Sequence, residues 1–314
     1  MGFRSAGRSI PSEIALGLIS EGEDFRFKHL TISGVDNEPV LARNAPGQRE
    51  EEVCLFHKDV PSGDAYVALL ADRIEAGMEN RTPLPVVRFA DGEYEFYNGS
   101  LKCNGLYRQA ESVEAIRAAL PAHADALRYL AAHGAMAPLL FPGNMRRRSG
   151  IGAFFRKKGG NDLALRFLEF LAKNGIRVTG SNYIPFYAVY AYLSGARFAA
   201  AVDGKTVCLV NSDFNATACS DWFERAGSRP RLVHVPVPDS YVATQWASMR
   251  EDVFRAVPED ADCFLVGAGV GALQVCVDAA RRFSVPAIDS GHILNMMNGL
   301  ERKSQGPRLF TLRR

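Results

Sequence analysis

The chain has 314 residues, 47% of them apolar and 23% charged, with a formal net charge of +2 at pH 7. That size and apolar share support a large buried core, in one large or two ordinary domains, and the near-balanced charge argues against an extended nucleic-acid footprint. No apolar run is long enough to span a membrane, and the early stretch at 14–19 (IALGLI) is too short for a signal-sequence core, which points to the cytoplasm.

Taken in chain order, the first 60 or so residues differ from the remainder of the chain. Residues 34–53 mix turn formers with a charge run and show no sustained period, as a linker or long loop does. A boundary near residue 60 is expected, separating an N-terminal extension and linker (1–60) from an α/β domain (61–314). The segment at 12–34 is expected to form one helix and one strand, which cap the main domain or mediate homo-oligomerisation.

From residue 62 onward the pattern alternates. Strand-like apolar runs at 86–89, 135–141, 176–179, 206–211, 232–237, 263–268 and 285–288 are separated by helical periodicity at 111–132, 162–174, 184–194, 215–226, 244–256 and 270–282. Alternation of this kind predicts a Rossmann-like α/β fold, a mostly parallel sheet with helices on both faces, whose ligands bind beyond the carboxyl ends of the strands. The tyrosines of segment 181–195 (Tyr183, Tyr187, Tyr190, Tyr192) read as core ahead of a stacking surface, as do Trp222 and Trp246. Six cysteines, scattered with no C-x-x-C, read mostly as reduced core residues.

Four strand ends carry chemistry. The first is Asp91-Gly92-Glu93 after VVRF: in an extended segment the two carboxylates share a face, and paired hard oxygens suit Mg2+ or Mn2+ with open positions for substrate phosphates. A solvated turn is the other reading of D-G. Arg88, just before it, either contacts the donor or pairs with a carboxylate. The second is Asn211-Ser212-Asp213, where Asp213 is a donor contact or a helix cap. The third is GAGVGA, in which Gly267, Gly269 and Gly271 approximate a dinucleotide fingerprint, with Asp289 twenty-two residues past Gly267. It fits an NAD(P)-dependent oxidoreductase, a nucleotide sugar, or plain tight helix–strand packing. Only 25 residues follow Asp289, which weighs against the oxidoreductase. The fourth is Asp289-Ser290-Gly291-His292, where the imidazole is placed to meet phosphate, metal or a transferring proton.

Basic clusters at 146–148 and 156–158 flank a glycine-rich stretch. This loop, with Arg148, is the candidate grip on phosphate, or on a lipid-phosphate acceptor with Phe154 and Phe155 in peripheral contact with a membrane. Arg108 and Gln109 are further candidates for donor or acceptor contact.

Two of these segments, RFADGE at 88–93 and AIDSGH at 287–292, stand in an order and separation that resemble the GT-D-type glycosyltransferases, which carry R-F-G-D-G-E near the start of their domain and A-I-D-x-G-H near its end. The resemblance covers roughly residues 80 to 300. It implies metal-dependent transfer of a sugar from a nucleotide diphosphate donor, UDP by default, with Asp91 and Glu93 holding the ion. The acceptor would be a glycan or lipid-linked hydroxyl in surface polysaccharide or glycoconjugate synthesis. An inverting reaction would need a base, and Glu95, Asp289 and His292 are the candidates. The chain departs from the family at Ala90, where glycine is usual, at GAGVGA, which replaces glycine-proline-threonine-alanine, and after His292, where tryptophan and acidic residues are absent. A protein that binds nucleotide sugars without turnover therefore stays open as a third reading.

Overall fold

Two short strands, β1 (Phe25–His29) and β2 (Val53–His57), pair antiparallel from Phe25 opposite His57 to His29 opposite Val53. This ribbon belongs to a computed structural model that describes residues 19, 25–33, 53–105, 107–145 and 162–300. The expected linker up to residue 52, the helix expected before β1 and the basic loop with Arg148, Phe154 and Phe155 lie outside the described residues. The ribbon packs on the main body edge to face: Phe25 meets Tyr183 at 5.6 Å between ring centroids, and Phe56 meets Tyr66 at 5.3 Å.

The remaining strands among the described residues form one six-stranded sheet. They are β3 (Leu84–Phe89), β4 (Ala135–Pro138), β5 (Thr206–Asn211), β6 (Arg231–Pro236), β7 (Cys263–Gly267) and β8 (Pro286–Asp289), in the order β4-β3-β8-β7-β5-β6, and every pairing is parallel. All residues of β3, β4, β5 and β8 are buried, as expected of strands covered on both faces and spelled as continuous apolar runs. Helices α3 (Val113–His133), α8 (Val242–Arg255) and α9 (Ala272–Phe283) pack together on one face. Helices α1 (Gly63–Glu79), α5 (Phe186–Leu193) and α6 (Ala196–Ala201) form the group on the other. Serine hydroxyls start two of them, Ser62 accepting from the Ala65 N–H at 3.2 Å and Ser112 from that of Ala115 at 3.1 Å. All six cysteines are buried and free. Among the described residues no helix is long and apolar enough to cross a membrane.

Three local expectations are corrected. The run at 176–179 is not a strand. Ile176 and Val178 are buried, but the backbone is served by the Asn182 side chain, which accepts from Thr179 N–H at 2.8 Å and donates to the Arg177 carbonyl at 3.1 Å. Residues 182–184 take the place beside β4 instead, bonding Met136 on both sides. The run at 135–141 is a strand only to Pro138. Most important for the site, Asp91–Tyr97 is a helix, α2, that begins two residues after β3. Its Tyr94 and Tyr97 rings each lie 5.2 Å from Phe167, and that burial favours helix over an extended edge. Phe167 belongs to α4 (Leu163–Lys173).

Connections fix where ligands can enter. The chain leaves β5 through α7 (Ala216–Glu224) toward the edge strand β6, and leaves β7 through α9 in the opposite direction, to β8. Neighbouring β5 and β7 thus form a topological switch point, with Asn211 beside Gly267. A short helix, α10 (His292–Met297), lies across it: Leu294 Cδ1 is 3.0 Å from where a side chain on Gly267 would begin.

Candidate active site

The two motifs of the resemblance meet because β3 and β8 are neighbours, in register from Leu84 beside Pro286 to Val86 beside Ile288. Arg88 and Asp289, 201 positions apart, close that junction. The guanidinium donates to Asp289 Oδ1 at 2.7 Å and to the Asp289 carbonyl at 2.9 Å, while the Arg88 backbone N–H donates to Oδ2 at 3.2 Å. Both side chains are over nine-tenths buried. The guanidinium also donates to the Tyr190 hydroxyl and lies over two rings, 4.2 Å from the centroid of Tyr190 and 5.2 Å from that of Phe186. Burial opposes the guanidinium charge, but Asp289 outweighs it and holds the Arg88 pKa above its ordinary value. Gly291 is required here, because its φ is +42° and a Cβ would collide with Arg88 Nη2.

Glu93 stands beside this pair. Its Oε2 accepts from the Ala90 N–H at 2.8 Å, the acidic half of a capping box whose usual Ser or Thr is replaced by alanine. Burial, and then the charge of Asp289, push its pKa up to about 7. Burial also raises the Asp289 carboxyl, against the pull of Arg88. Asp91 is the first residue of α2 and is exposed. On a helix, positions two apart differ by about 200°, so Asp91 and Glu93 do not share a face as an extended segment would have them do. Gly92 lies between them, and a Cβ there would meet nothing within 4 Å beyond its chain neighbours and the helix's own backbone.

Among the described residues no group of three or more His, Cys, Asp or Glu side chains is arranged to enclose a metal. Carboxylate oxygens are donors of the kind Mg2+ or Mn2+ takes, one or two at a time with water and substrate phosphate completing the shell, so the residue types fit such an ion although their helical spacing does not bring both to one face.

The glycine-rich loop has a packing explanation. Gly269, at φ +55°, leaves 2.5 Å between a would-be Cβ and Gln109 Oε1, and that oxygen accepts the Val270 N–H at 2.9 Å. A side chain on Gly271 would stand 2.9 Å from the backbone nitrogen of Ala243 in α8. Through Gln109 the loop from α2 to α3 is thereby pressed onto the turn that follows β7. Asn104 shapes it, its Oδ1 accepting from Gln109 and Ala110 N–H at 2.6 and 3.0 Å, and Arg108 accepts the Tyr241 N–H at 2.7 Å through its carbonyl.

His292 opens α10, half-buried, immediately after the Gly291 that rests on Arg88. Glu95 is half-buried on α2. Asp213 is exposed at the end of β5. The cap of α7 is Asn215, which accepts from Ala218 N–H at 3.1 Å, so Asp213 does not serve as the cap that the sequence suggests. Asn211 is buried, its amide nitrogen donates to the Asp213 carbonyl, and its Oδ1 has no hydrogen-bond partner among the described residues. Tyr183, Tyr187, Tyr190 and Tyr192 are buried. Tyr190, read from sequence as core ahead of a stacking surface, is buried and is also a partner of Arg88, a link that no local pattern could announce.

The fold and site therefore define a Rossmann-like α/β protein with a buried Arg88–Asp289 pair and an adjoining carboxylate at the carboxyl edge of its sheet. No protein-family model and no curated protein matches the chain. A solved structure, described as the highly conserved domain of unknown function 1792 with a distinct glycosyltransferase fold, is similar at 18% identity over 75% of this chain and 84% of that one, with a TM-score of 0.44.

Proposed function

We propose that this chain transfers a sugar from a nucleotide diphosphate donor, UDP by default, to a hydroxyl of a glycan or lipid-linked acceptor, with Mn2+ or Mg2+ held by Asp91 and Glu93. The observation that carries the reading is the meeting of RFADGE and AIDSGH at the ends of adjacent strands, joined through Arg88 and Asp289. Two sequence segments with this resemblance had no need to touch; that they do supports one site built from both. The ion would supply Lewis-acid neutralisation of the diphosphate as it departs. The chain's own share is to fix the carboxylates: Arg88 anchors Asp289, and the capping bond to Ala90 anchors Glu93. With both Asp289 oxygens bonded to Arg88, an inverting reaction would take Glu95 or His292 as its base.

Calorimetric titration tests this. UDP and NAD are titrated into the wild type and into the Asp91→Ala, Glu93→Ala double variant, each with and without Mn2+. Mn2+-dependent UDP binding that the double variant loses supports the reading. NAD binding that ignores both metal and substitutions would replace it with an oxidoreductase, and would have to displace Gln109 from Val270 to use the glycine loop.

A further inference from the structure

We propose that Tyr107 is the stacking platform for the donor's nucleobase, an inference that rests on the donor reading above. All ten tyrosines are among the described residues, and only Tyr107 is exposed, at 42% of its surface. No described Phe or Trp ring is exposed either, so Tyr107 is the exposed aromatic face among the described residues. This ring is also held. Its hydroxyl accepts a hydrogen bond from Asn295 Nδ2 at 2.8 Å, and its loop is pinned just beyond it by Arg108 on Tyr241 and by Gln109 on Val270.

The position is the rim of the candidate site. Asn295 lies three residues after His292 on α10, so the two share a helix face. Helix α2, which carries Asp91 and Glu93, packs against the turn Gly269–Gly271 that Gln109 covers. Passing around the edge, α2, the 269–271 turn, Gln109, Tyr107, Asn295 and His292 follow one another and return through Gly291 to Arg88. A diphosphate bound at the carboxylates leaves its nucleoside to reach outward to this rim. A flat base presents a π-face that a fixed ring can cover whatever the base's hydrogen-bonding edge.

Dissociation constants for UDP and for inorganic pyrophosphate, in saturating Mn2+, separate this from other roles when measured on wild type, Tyr107→Ala, Tyr107→Phe and Tyr107→Trp. Stacking predicts that Tyr107→Ala weakens UDP on the order of 10- to 100-fold, leaves pyrophosphate within about 2-fold, and that Phe or Trp restores most of the loss. Equal losses for both ligands would make Tyr107 a structural support and overturn the proposal. Unchanged UDP binding in Tyr107→Ala would overturn it too, while leaving the donor reading intact; an acceptor sugar then becomes the occupant to test. A wild type that binds neither ligand would remove the donor reading and this inference with it.

Discussion

Breaking the Arg88–Asp289 pair is expected to destabilise the fold strongly, and replacing both partners is not. Asp289→Leu leaves a guanidinium that cannot lose its proton, buried over Tyr190 and Phe186 and deprived of its 2.7 Å bond to Oδ1, and it also strips the Arg88 backbone N–H of its 3.2 Å bond to Oδ2. Removing one partner of a buried pair costs about 3–5 kcal/mol. Arg88→Met strands the carboxylate instead, but that group can take up a proton, and Met keeps part of the stem's packing, so its cost should fall at the low end. At about 2 °C per kcal/mol for a chain of this size, Asp289→Leu should lower the melting temperature by about 6–10 °C. The double variant Arg88→Met, Asp289→Leu removes both charges and exchanges them for apolar volume, which in buried pairs is close to neutral. It should therefore melt above Asp289→Leu alone, the reverse of additivity. Thermal melts by circular dichroism, with urea unfolding as a second probe, decide it. An Asp289→Leu protein melting within about 2 °C of wild type, or losses that simply add in the double variant, would refute the pair as the clamp between the two motifs.

Other outcomes are expected from the same geometry. Gly92→Ala should fold at least as stably as wild type, since its Cβ meets nothing and alanine favours helix by up to about 1 kcal/mol, yet it should weaken Mn2+-dependent UDP binding by filling space between Asp91 and Glu93; a lowered melting temperature would contradict this. Gly269→Ala should cost about 1–3 kcal/mol in urea unfolding, from its positive φ and its clash with Gln109, and adding Gln109→Ala should recover only the part due to the clash. His123 is fully buried, bonded to the Tyr97 hydroxyl at 3.1 Å and the Ala243 carbonyl at 2.8 Å, and burial lowers its pKa from 6.5 to about 4. The unfolded chain takes up this proton first, so the contribution is intact above pH 6.5 and is lost as pH falls toward 4, by about 3 kcal/mol in all. Glu93, raised to about 7, has the opposite sign: its contribution is complete below pH 4.5 and fades as pH rises through 7. The stability difference between wild type and His123→Met, followed from pH 7 to pH 4, isolates the histidine; a difference independent of pH would refute its burial as a neutral imidazole.

The alternation of strands and helices was legible because parallel strands covered on both faces must be spelled as continuous apolar runs, and β5 and β8 show every residue buried. The ends of those runs place Asp91, Glu93, Asn211, Gly267 and Asp289 at the carboxyl edge of a parallel sheet whatever the strand order. Local pattern also misled, and for physical reasons. Residues 176–179 have the composition of a strand, but a strand needs a partner for its backbone, and the Asn182 side chain supplies the bonds instead. Asp91-Gly92-Glu93 has the dipeptide of a turn, but the aromatic residues after it are buried by a helix against Phe167.

What the amino-acid order determined, then, was fold class, strand ends and the residue types found there, since each depends on periodicity over a few neighbours. Tertiary structure alone decided that Arg88 takes Asp289 from 201 positions away, that Gly269 exists for Gln109 and Gly291 for Arg88, and that Tyr107 is the tyrosine left in water. Those outcomes depend on which strands become neighbours and which loops are pressed together. Such choices are made by the packing of the whole sheet and leave no local trace in the sequence.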